Sequence, residues 1–183
     1  MDLQELKVEL EKLHAASFGW TLSCCRYDYS EAEDVLQMVY LKILQGRAIY
    51  RGESKLQTWL FAVIRKTAMG ERRSALLRSL KSSNASPSAN VSSEVVAQLE
   101  RSELQRRFLE ALSSLPVRQR ETLHLVFYQD MTLSEAADVM GISIGSARRH
   151  YERGKKRLRE VFDQKESDYG VGWGRKENPG AVL

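Results

Sequence analysis

The chain has 183 residues, of which 43% are hydrophobic, so it can form one medium domain or two small ones with real cores. Lys and Arg number 28 against 24 Asp and Glu, and a net charge of +4 permits a polyanionic partner without requiring one. The two cysteines, Cys24 and Cys25, are adjacent. Without a partner cysteine or a Cys/His cluster, we expect a reducing compartment and no metal site.

The first residues are acidic and amphipathic, which is not the pattern of a basic, then apolar, signal peptide. Apolar runs are also far shorter than a membrane span requires. We therefore expect a cytoplasmic protein with no membrane insertion.

Residues 2–20 predict an amphipathic helix, and Gly19 leaves open whether it is one helix or two. Its apolar positions are Leu3, Leu6, Leu10 and Leu13. A second helix is predicted over residues 31–45, with Ser30 and Glu33 as its capping box.

This second helix has two distinct sides. Its inner stripe comprises Ala32, Val35, Leu36, Val39 and Ile43, and its other side carries Asp34, Gln37, Met38 and Leu41. Apolar residues beside Asp and Gln favour a protein-binding face. A helix buried on two sides is the alternative that the pattern leaves open.

Residues 46–55 form a polar connector in which Tyr50, Arg51 and Gly52 combine an aromatic ring, a cation and a flexible backbone. That combination suits an unstacked base. The next predicted helix, residues 56–73, has a basic second half. Residues 65–81 hold six Lys/Arg and one Glu, which makes this a candidate for nucleic-acid contact.

Serine dominates residues 79–93, where seven of fifteen residues are Ser, and this composition predicts a flexible linker. We therefore divide the chain into a first domain at 1–78, a linker at 79–94, a second domain at 95–163 and a disordered tail at 164–183. No β pattern of any length is present. The expected fold is all-α: two small helical domains joined by a flexible linker, the C-terminal one a helix-turn-helix.

Residues 131–160 carry the strongest pattern, a helix, a tight turn and a basic helix. Thr132 and Glu135 have capping-box spacing, Gly141 can end the first helix, and Ser143 can cap the second. In the preceding helix, which starts near residue 117, the inward positions are Leu123, Val126 and Phe127.

In the basic helix, the expected inward residues are Ile144, Ala147, Tyr151, Gly154 and Leu158. Residues 141–160 hold seven Lys/Arg against two Asp/Glu. Small residues at the start of the helix and arginines one and two turns later fit a DNA major groove. A solvated charged face is the simpler alternative, and the helix-turn-helix pattern favours DNA.

These motifs resemble a known family. Leu115-Pro116, Arg118-Gln119-Arg120-Glu121 and the run 132–158 resemble the −35-binding domain of bacterial extracytoplasmic-function (ECF) sigma factors of the sigma-70 family. Residues 30–44 resemble the family's helix that docks on the polymerase clamp, and residues 51–53 and 58–60 resemble its −10 segment. The resemblance spans roughly residues 1–162.

The resemblance implies a factor that directs core RNA polymerase to specific promoters by −35 recognition and −10 melting and capture. Its partners would be the clamp and flap regions of core polymerase, promoter DNA and an anti-sigma factor, with no cofactor and no enzymatic chemistry.

The same resemblance implies roles for individual positions. The polymerase-binding residues would be Asp34, Gln37, Met38 and Leu41. The −10 residues would be Tyr50, Arg51, Lys55, Arg65, Lys66, Arg72 and Arg73, with Trp59 packing the domain. The −35 residues would be Ser143, Ser146, Arg148, Arg149, Arg153 and Lys156.

Two rival hypotheses remain. A stand-alone helix-turn-helix regulator would explain residues 131–160 but not the first domain. An enzyme with Cys24 or Cys25 as its nucleophile lacks any supporting His/Asp arrangement or phosphate loop. The cysteines could instead sense redox state or simply be buried in packing.

Overall fold

A computed structural model describes residues 3–81 and 111–169, with the side chains of residues 4–80 and 111–160. Every regular element in these ranges is a helix, as the sequence predicts. The first unit contains α1 (Leu3–Lys12), α2 (His14–Cys24), α3 (Tyr29–Leu44) and α4 (Leu56–Lys81). The second contains α5 (Val117–Phe127), α6 (Leu133–Met140) and α7 (Ile144–Tyr169). Most of the predicted linker and of the predicted tail lies outside the described residues. Residues 79–81 of the linker continue α4, and residues 164–169 of the tail continue α7, so both helices extend further than the sequence predicts.

The N-terminal amphipathic segment is two helices, and they separate at Leu13 rather than at the predicted breaker Gly19. The cap of α3 also differs from the prediction. Asp28 is the N-cap, and its carboxylate accepts a hydrogen bond from Glu31 N at 2.9 Å. The capping box expected at Ser30 and Glu33 is therefore wrong, because α3 begins two residues earlier than predicted.

Trp20 is the centre of the first unit. Its side chain is fully buried, and Nε1 donates to Phe61 O on α4 at 3.0 Å. Around it pack α3 and α4, with the whole predicted stripe of α3 buried, as its spacing requires. Burying this stripe leaves the opposite side of α3 on the surface.

In the second unit, α7 packs closely across α5 at Gly154. A Cβ placed on Gly154 would lie 3.0 Å from Leu123 Cδ1 and 3.2 Å from its Cγ, so the absent side chain permits the approach. A small cluster of Leu112, Leu115 and Leu123 lies beside this crossing, with Tyr151 and Leu158 against it.

The two units share one hydrophobic core. Leu125, Met131, Ala136, Val139 and Met140 of the second unit belong to the same buried cluster as Trp20 and the stripe of α3. The sequence predicts the two units but not their contact. As a result, one side of α4 faces α6 rather than solvent.

Candidate nucleic-acid and polymerase interfaces

The turn between α6 and α7 is built from the predicted local signals. Thr132 and Glu135 form a complete capping box: Glu135 N donates to Thr132 Oγ1 at 3.2 Å, and Thr132 N donates to Glu135 Oε2 at 2.8 Å. Gly141 ends α6 with φ +62°, a conformation that costs glycine little. Ser143 caps α7 by accepting a hydrogen bond from Ser146 N at 3.2 Å.

Before α6, the turn contains no glycine. Asp130 takes the left-handed conformation there, with φ +50°. Aspartate adopts this region more readily than most residues, because its short polar side chain can bond locally. The chain thus makes the turn into the helix-turn-helix with Asp130.

The outer face of α7 presents the predicted −35 residues together. Arg148, Arg149, Arg153 and Lys156 are exposed, while Ser146 is half-buried at the first turn. Arg149 Nη2 donates to Ser146 Oγ at 3.2 Å, and the hydroxyls of Ser143 and Ser146 are 3.0 Å apart. This chain of polar contacts orients Arg149 before any ligand is bound.

Two predicted inward residues are in fact on the surface. Ile144 is 51% exposed and Phe127 is 55% exposed, although the Phe127 ring stacks on Tyr151 with centroids 5.7 Å apart. Both lie at the end of a helix, where the described part of the chain only partly covers the face that helical periodicity assigns to the core. Ala147 and Gly154 are buried as expected.

The connector before α4 holds its aromatic ring against the protein. Tyr50 Oη donates to Ser54 O at 2.6 Å, and its ring lies 5.3 Å from that of Trp59. Arg51 is exposed, and Gly52 makes the turn with φ +77°. Trp59 is half-buried, in agreement with a packing role.

The predicted −10 cations fall into two groups. Arg51, Lys66 and Arg73 are exposed, and Arg72 Nε lies 3.4 Å from Glu31 Oε1 within the first unit. Lys55 and Arg65 instead contact the second unit.

These two contacts join the units directly. Lys55 Nζ lies 2.7 Å from Glu135 Oε1, and Arg65 Nη2 lies 3.1 Å from Glu121 Oε2. Arg65 Nη1 also donates to Met140 O at 3.1 Å. Glu121 and Glu135 therefore form ion pairs with two cations that the sequence assigns to the −10 element.

Helix α5 supplies residues of the contact between the two units that sequence reasoning missed. Six consecutive residues from Arg120 to Leu125 are buried, including Glu121 and His124. Burial raises the pKa of Glu121, and the neighbouring Arg65 opposes that rise. Burial, with Arg120 nearby, lowers the pKa of His124 to about 4. Charged residues within a fully buried stretch of a helix are the signal of a polar interface.

Glu135 has the opposite electrostatic setting. The hydrogen bond from Lys55, followed by those from Thr132, lowers the pKa of Glu135 to about 2. The carboxylate is thus ionised at neutral pH, as an ion pair and a helix cap both require.

The side of α3 opposite the core carries the predicted polymerase-binding residues. Asp34 and Gln37 are exposed, Leu41 is 53% exposed, and Met38 is half-buried. A depression of about 260 Å³ adjoins this side, and Gln37 is one of its lining residues. Exposed apolar and polar groups are thus combined on one surface, a composition typical of protein interfaces.

Cys24 and Cys25 are buried in the core of the first unit, as the packing interpretation predicts. Burial raises the pKa of the Cys25 thiol to about 12 and that of Cys24 well above its ordinary value. Both are therefore neutral thiols, and a neutral thiol is a poor nucleophile. Within the described ranges, no His, Cys, Asp and Glu side chains group as a metal site, and no helix is suited to crossing a membrane.

Comparison with known proteins gives two family matches in the order that the motifs predict. Residues 16–78 match the model of sigma-70 region 2, and residues 111–160 match that of sigma-70, region 4. The ECF RNA polymerase sigma factor SigL of Mycobacterium tuberculosis is 29% identical over 130 residues, which are 68% of this chain and 71% of SigL. RNA polymerase sigma factor SigZ of Bacillus subtilis is 25% identical over 140 residues, 74% and 75% of the two chains.

Solved structures show the same fold. The sigma factor RpoE in complex with the anti-sigma factor NepR, from Bartonella quintana, has a TM-score of 0.71 at 24% identity, over 88% of this chain and 98% of RpoE. CnrH in complex with the cytosolic domain of CnrY has a TM-score of 0.61 at 18% identity, over 88% and 90% of the two chains.

The region 2 and region 4 matches cover more than half of the sequence, so the chain belongs to the sigma-70 family, as an ECF sigma factor. Its function is that of an RNA polymerase sigma factor in transcription initiation. The resemblance noted from the motifs is confirmed, and the core of each match lies within one of the two helical units.

Proposed function

We propose that this sigma factor directs core RNA polymerase to promoters whose −35 element is read by α7 and whose −10 element is captured by the connector before α4 and the cations of α4. The observation that carries the proposal is the capped helix-turn-helix, whose basic outer face has Arg149 already oriented by Ser146. Side chains held in place before binding lose less entropy on contact with base edges.

Core polymerase docks on the outer side of α3. Leu41 and Met38 would supply apolar contact there, and Asp34 and Gln37 would supply polar contacts at the margin. Mounted on one polymerase, the two DNA-reading units act at high effective concentration, which compensates for weak binding by each. The polymerase carries out the chemistry, and the sigma factor contributes binding energy.

Capture of the −10 strand uses the exposed cations of α4 and the Tyr50 ring. Lys66 and Arg73 are open to a phosphate backbone. Stacking of an unpaired base on the Tyr50 ring would stabilise the melted strand, so that binding energy alone favours melting. Lys55, whose side chain is 77% exposed beside Glu135, can join this surface directly, whereas Arg65 joins it only after it leaves Glu121.

An anti-sigma factor belongs to the proposal as well, supported by the structures of RpoE with NepR and CnrH with CnrY. Sequestration in the cytoplasm would cover the polymerase-binding and DNA-binding faces together.

The test is capture of purified core polymerase, followed by transcription of a genomic fragment library and mapping of start sites. Stoichiometric capture with new promoter-specific starts is expected. DNA binding by the free protein to a palindromic site, without polymerase capture, would favour the stand-alone regulator instead.

The −10 assignment has its own variant. K66A/R73A is expected to lower the rate of open-complex formation on duplex promoters while core capture stays unchanged. R78A, an exposed arginine further along α4, is the matched control. Equal losses per removed charge in K66A/R73A and R78A would show only general electrostatic attraction.

A further inference from the structure

Arg120 on α5 is a buried cation to which the described residues give no ion pair. The residue is 4% exposed, and its Nη1 makes one long hydrogen bond, to Ser113 O at 3.4 Å. The adjacent carboxylate of Glu121 is already paired with Arg65, at 3.1 Å. An arginine stays protonated even when it is buried, and burial of an unpaired charge is costly. Arg120 therefore lies where a bound anion would be stabilising.

The free donors of Arg120 lie on one edge of its guanidinium group. Nε and Nη2 are both buried and have no hydrogen-bond partner in the described part of the chain. These two N–H groups point in the same direction, in the fork geometry that binds two oxygens of one phosphate or carboxylate group. Because buried polar groups are nearly always bonded, a whole edge of free donors indicates a site for an oxyanion.

A second arginine, Arg72 of α4, supplies a further donor. Its Nε lies 3.4 Å from Glu31 Oε1, whereas its buried Nη2 has no partner among the described residues. Burial lowers the pKa of Arg120, and the positive charges of Arg72 and Arg26 lower it further. Like charges that affect each other in this way are close in space. The arginine cluster of Arg26, Arg72 and Arg120 thus brings three cations together from three parts of the chain.

Arg26 reaches the arginine cluster from the turn between α2 and α3. Arg26 and Tyr27 both take the left-handed conformation there, with φ +55° and +67°, which residues other than glycine adopt infrequently. Arg26 is exposed, and the side chain of Arg72 is 30% exposed. The cluster therefore combines one buried cation with two that solvent reaches, so an ion can approach Arg120 along them.

We propose that Arg72 and Arg120 bind a small tetrahedral oxyanion, either inorganic phosphate or the phosphate group of a small metabolite. Arg120 contacts it through Nε and Nη2, Arg72 contributes Nη2, and Arg26 adds positive charge. A tetrahedral ion suits two guanidinium groups on different helices, because its oxygens point in several directions. The bound ion satisfies three buried donors and so stabilises the folded protein by mass action. No DNA or polymerase takes part, and the inference is therefore independent of the proposed function.

Thermal unfolding of the full chain in sodium phosphate tests the site, with sodium chloride added to keep the ionic strength constant. Three charge-assisted hydrogen bonds lead us to expect a dissociation constant on the order of 1 mM. The unfolding temperature of wild type should then rise by about 5 °C or more between about 1 mM and about 100 mM phosphate. Phosphate also stabilises proteins through its exclusion from their surface. The quantity that counts is therefore the rise in wild type beyond that in the variants.

The variant R120K keeps the positive charge but loses the bidentate edge. It should raise the dissociation constant for phosphate by about tenfold or more. R78K makes the same exchange at an exposed arginine of α4 and is the matched control, which should respond as wild type does. R72K, at a partly exposed position, decides the matter if R120K does not fold, and it should weaken phosphate binding by about threefold to tenfold. Equal responses of wild type, R72K and R120K would overturn the proposal.

NMR of isotope-labelled wild type gives a readout that does not depend on stability. Titration with phosphate should shift the assigned Nε–H signal of Arg120 saturably, with the dissociation constant found by thermal unfolding. A signal that stays in place while phosphate raises the unfolding temperature would show a general salt effect only and would refute the site.

Titration with ATP in place of phosphate separates the two sources of the oxyanion. Tighter binding than phosphate, with the same sensitivity to R120K, would support the phosphate group of a nucleotide. Weaker binding than phosphate would support the free ion, since a larger ligand does not fit around a buried guanidinium.

Discussion

His124 on α5 lies against Trp20 on α2, with ring centroids 5.4 Å apart, and this contact joins the two helical units. Gln129 Nε2 lies 3.3 Å from His124 Nε2 and also donates to Ala16 O, so the ring is enclosed by both units. A charged imidazolium is disfavoured in this setting, where burial and Arg120 act in the same direction.

Stability should therefore fall at mildly acidic pH. The pKa of His124 is about 4 when folded, against an ordinary 6.5, so the unfolded chain binds the extra proton between these values. The contribution of neutral His124 to the free energy of unfolding is complete above about pH 6.5 and is lost as the pH falls toward 4. From pH 7.5 to pH 5 we expect a loss of about 2 kcal/mol in the free energy of unfolding.

Urea unfolding of wild type and H124Q at both pH values measures this loss. The wild-type pH dependence should exceed that of H124Q by about 2 kcal/mol, whereas H14Q, at an exposed histidine of α2, should behave as wild type. Parallel curves for wild type and H124Q would contradict the buried neutral state of His124.

Recognition of the −35 element should depend on Ser146 through Arg149. R149A is expected to weaken −35 binding by about 1–3 kcal/mol and to relax selection at one or two base pairs. S146A should relax selection at the same base pairs with a smaller loss of about 0.5–1.5 kcal/mol, since only the orienting hydrogen bond is removed. Binding to −35 sequence variants by the holoenzyme measures both.

R159A is the control for this pair, because Arg159 is an exposed cation on the same helix beyond the predicted reading face. It should weaken binding to all sequences equally and reduce its salt dependence. If S146A relaxes selection at base pairs that R149A leaves unaffected, Ser146 does not act by positioning Arg149.

Docking on polymerase should depend on Leu41. L41E places a charge on the outer side of α3 and should raise the dissociation constant for core polymerase by about tenfold or more, as expected for an interface hot spot. V8E, at a similarly exposed apolar residue of α1, should leave that constant unchanged. If V8E and L41E weaken binding equally, α3 is not the docking helix.

The crossing of α5 and α7 should tolerate no side chain at Gly154. Alanine in a helix interior usually stabilises by about 1 kcal/mol relative to glycine, and G70A should show this gain because open space surrounds Gly70. G154A should be at least about 1 kcal/mol less stable than G70A, since its Cβ would crowd Leu123. Thermal or urea unfolding of the two variants measures the difference, and equal stabilisation would contradict the packing described.

The cysteines should be inert in the folded protein. With the pKa of Cys25 raised to about 12 by burial, iodoacetamide should label Cys24 and Cys25 slowly at pH 7.5 and rapidly only in urea. Transcription should be insensitive to the reagent over the same period. Fast labelling of the native protein with loss of activity would support redox sensing instead.

Local sequence signals predicted local structure well. The capping box at Thr132 and Glu135 and the helix end at Gly141 need only neighbouring residues, and the structure confirms them. The inner stripe of α3 is buried throughout, because its apolar and polar residues alternate with a clear helical period. The predicted −35 residues share one exposed face for the same reason.

Signals that depend on distant residues could not be found this way. Arg65 and Glu121 are 56 positions apart, and neither position differs from a solvated charge when only its own helix is considered. Periodicity also says which side of a helix is apolar but not whether another element covers its ends, as Ile144 and Phe127 illustrate. The cap at Asp28 was missed because Ser30 and Glu33 match the same motif two residues later.

We propose above that this chain selects promoters for RNA polymerase through two separate elements. The most direct test is transcription by core polymerase plus the purified protein from templates with randomised upstream DNA, followed by sequencing of the transcribed templates. We expect two enriched sequence blocks at a fixed spacing, near −35 and −10, with only the upstream block degraded by R149A. Transcription without any enriched block, or with a single block that R149A leaves intact, would contradict it.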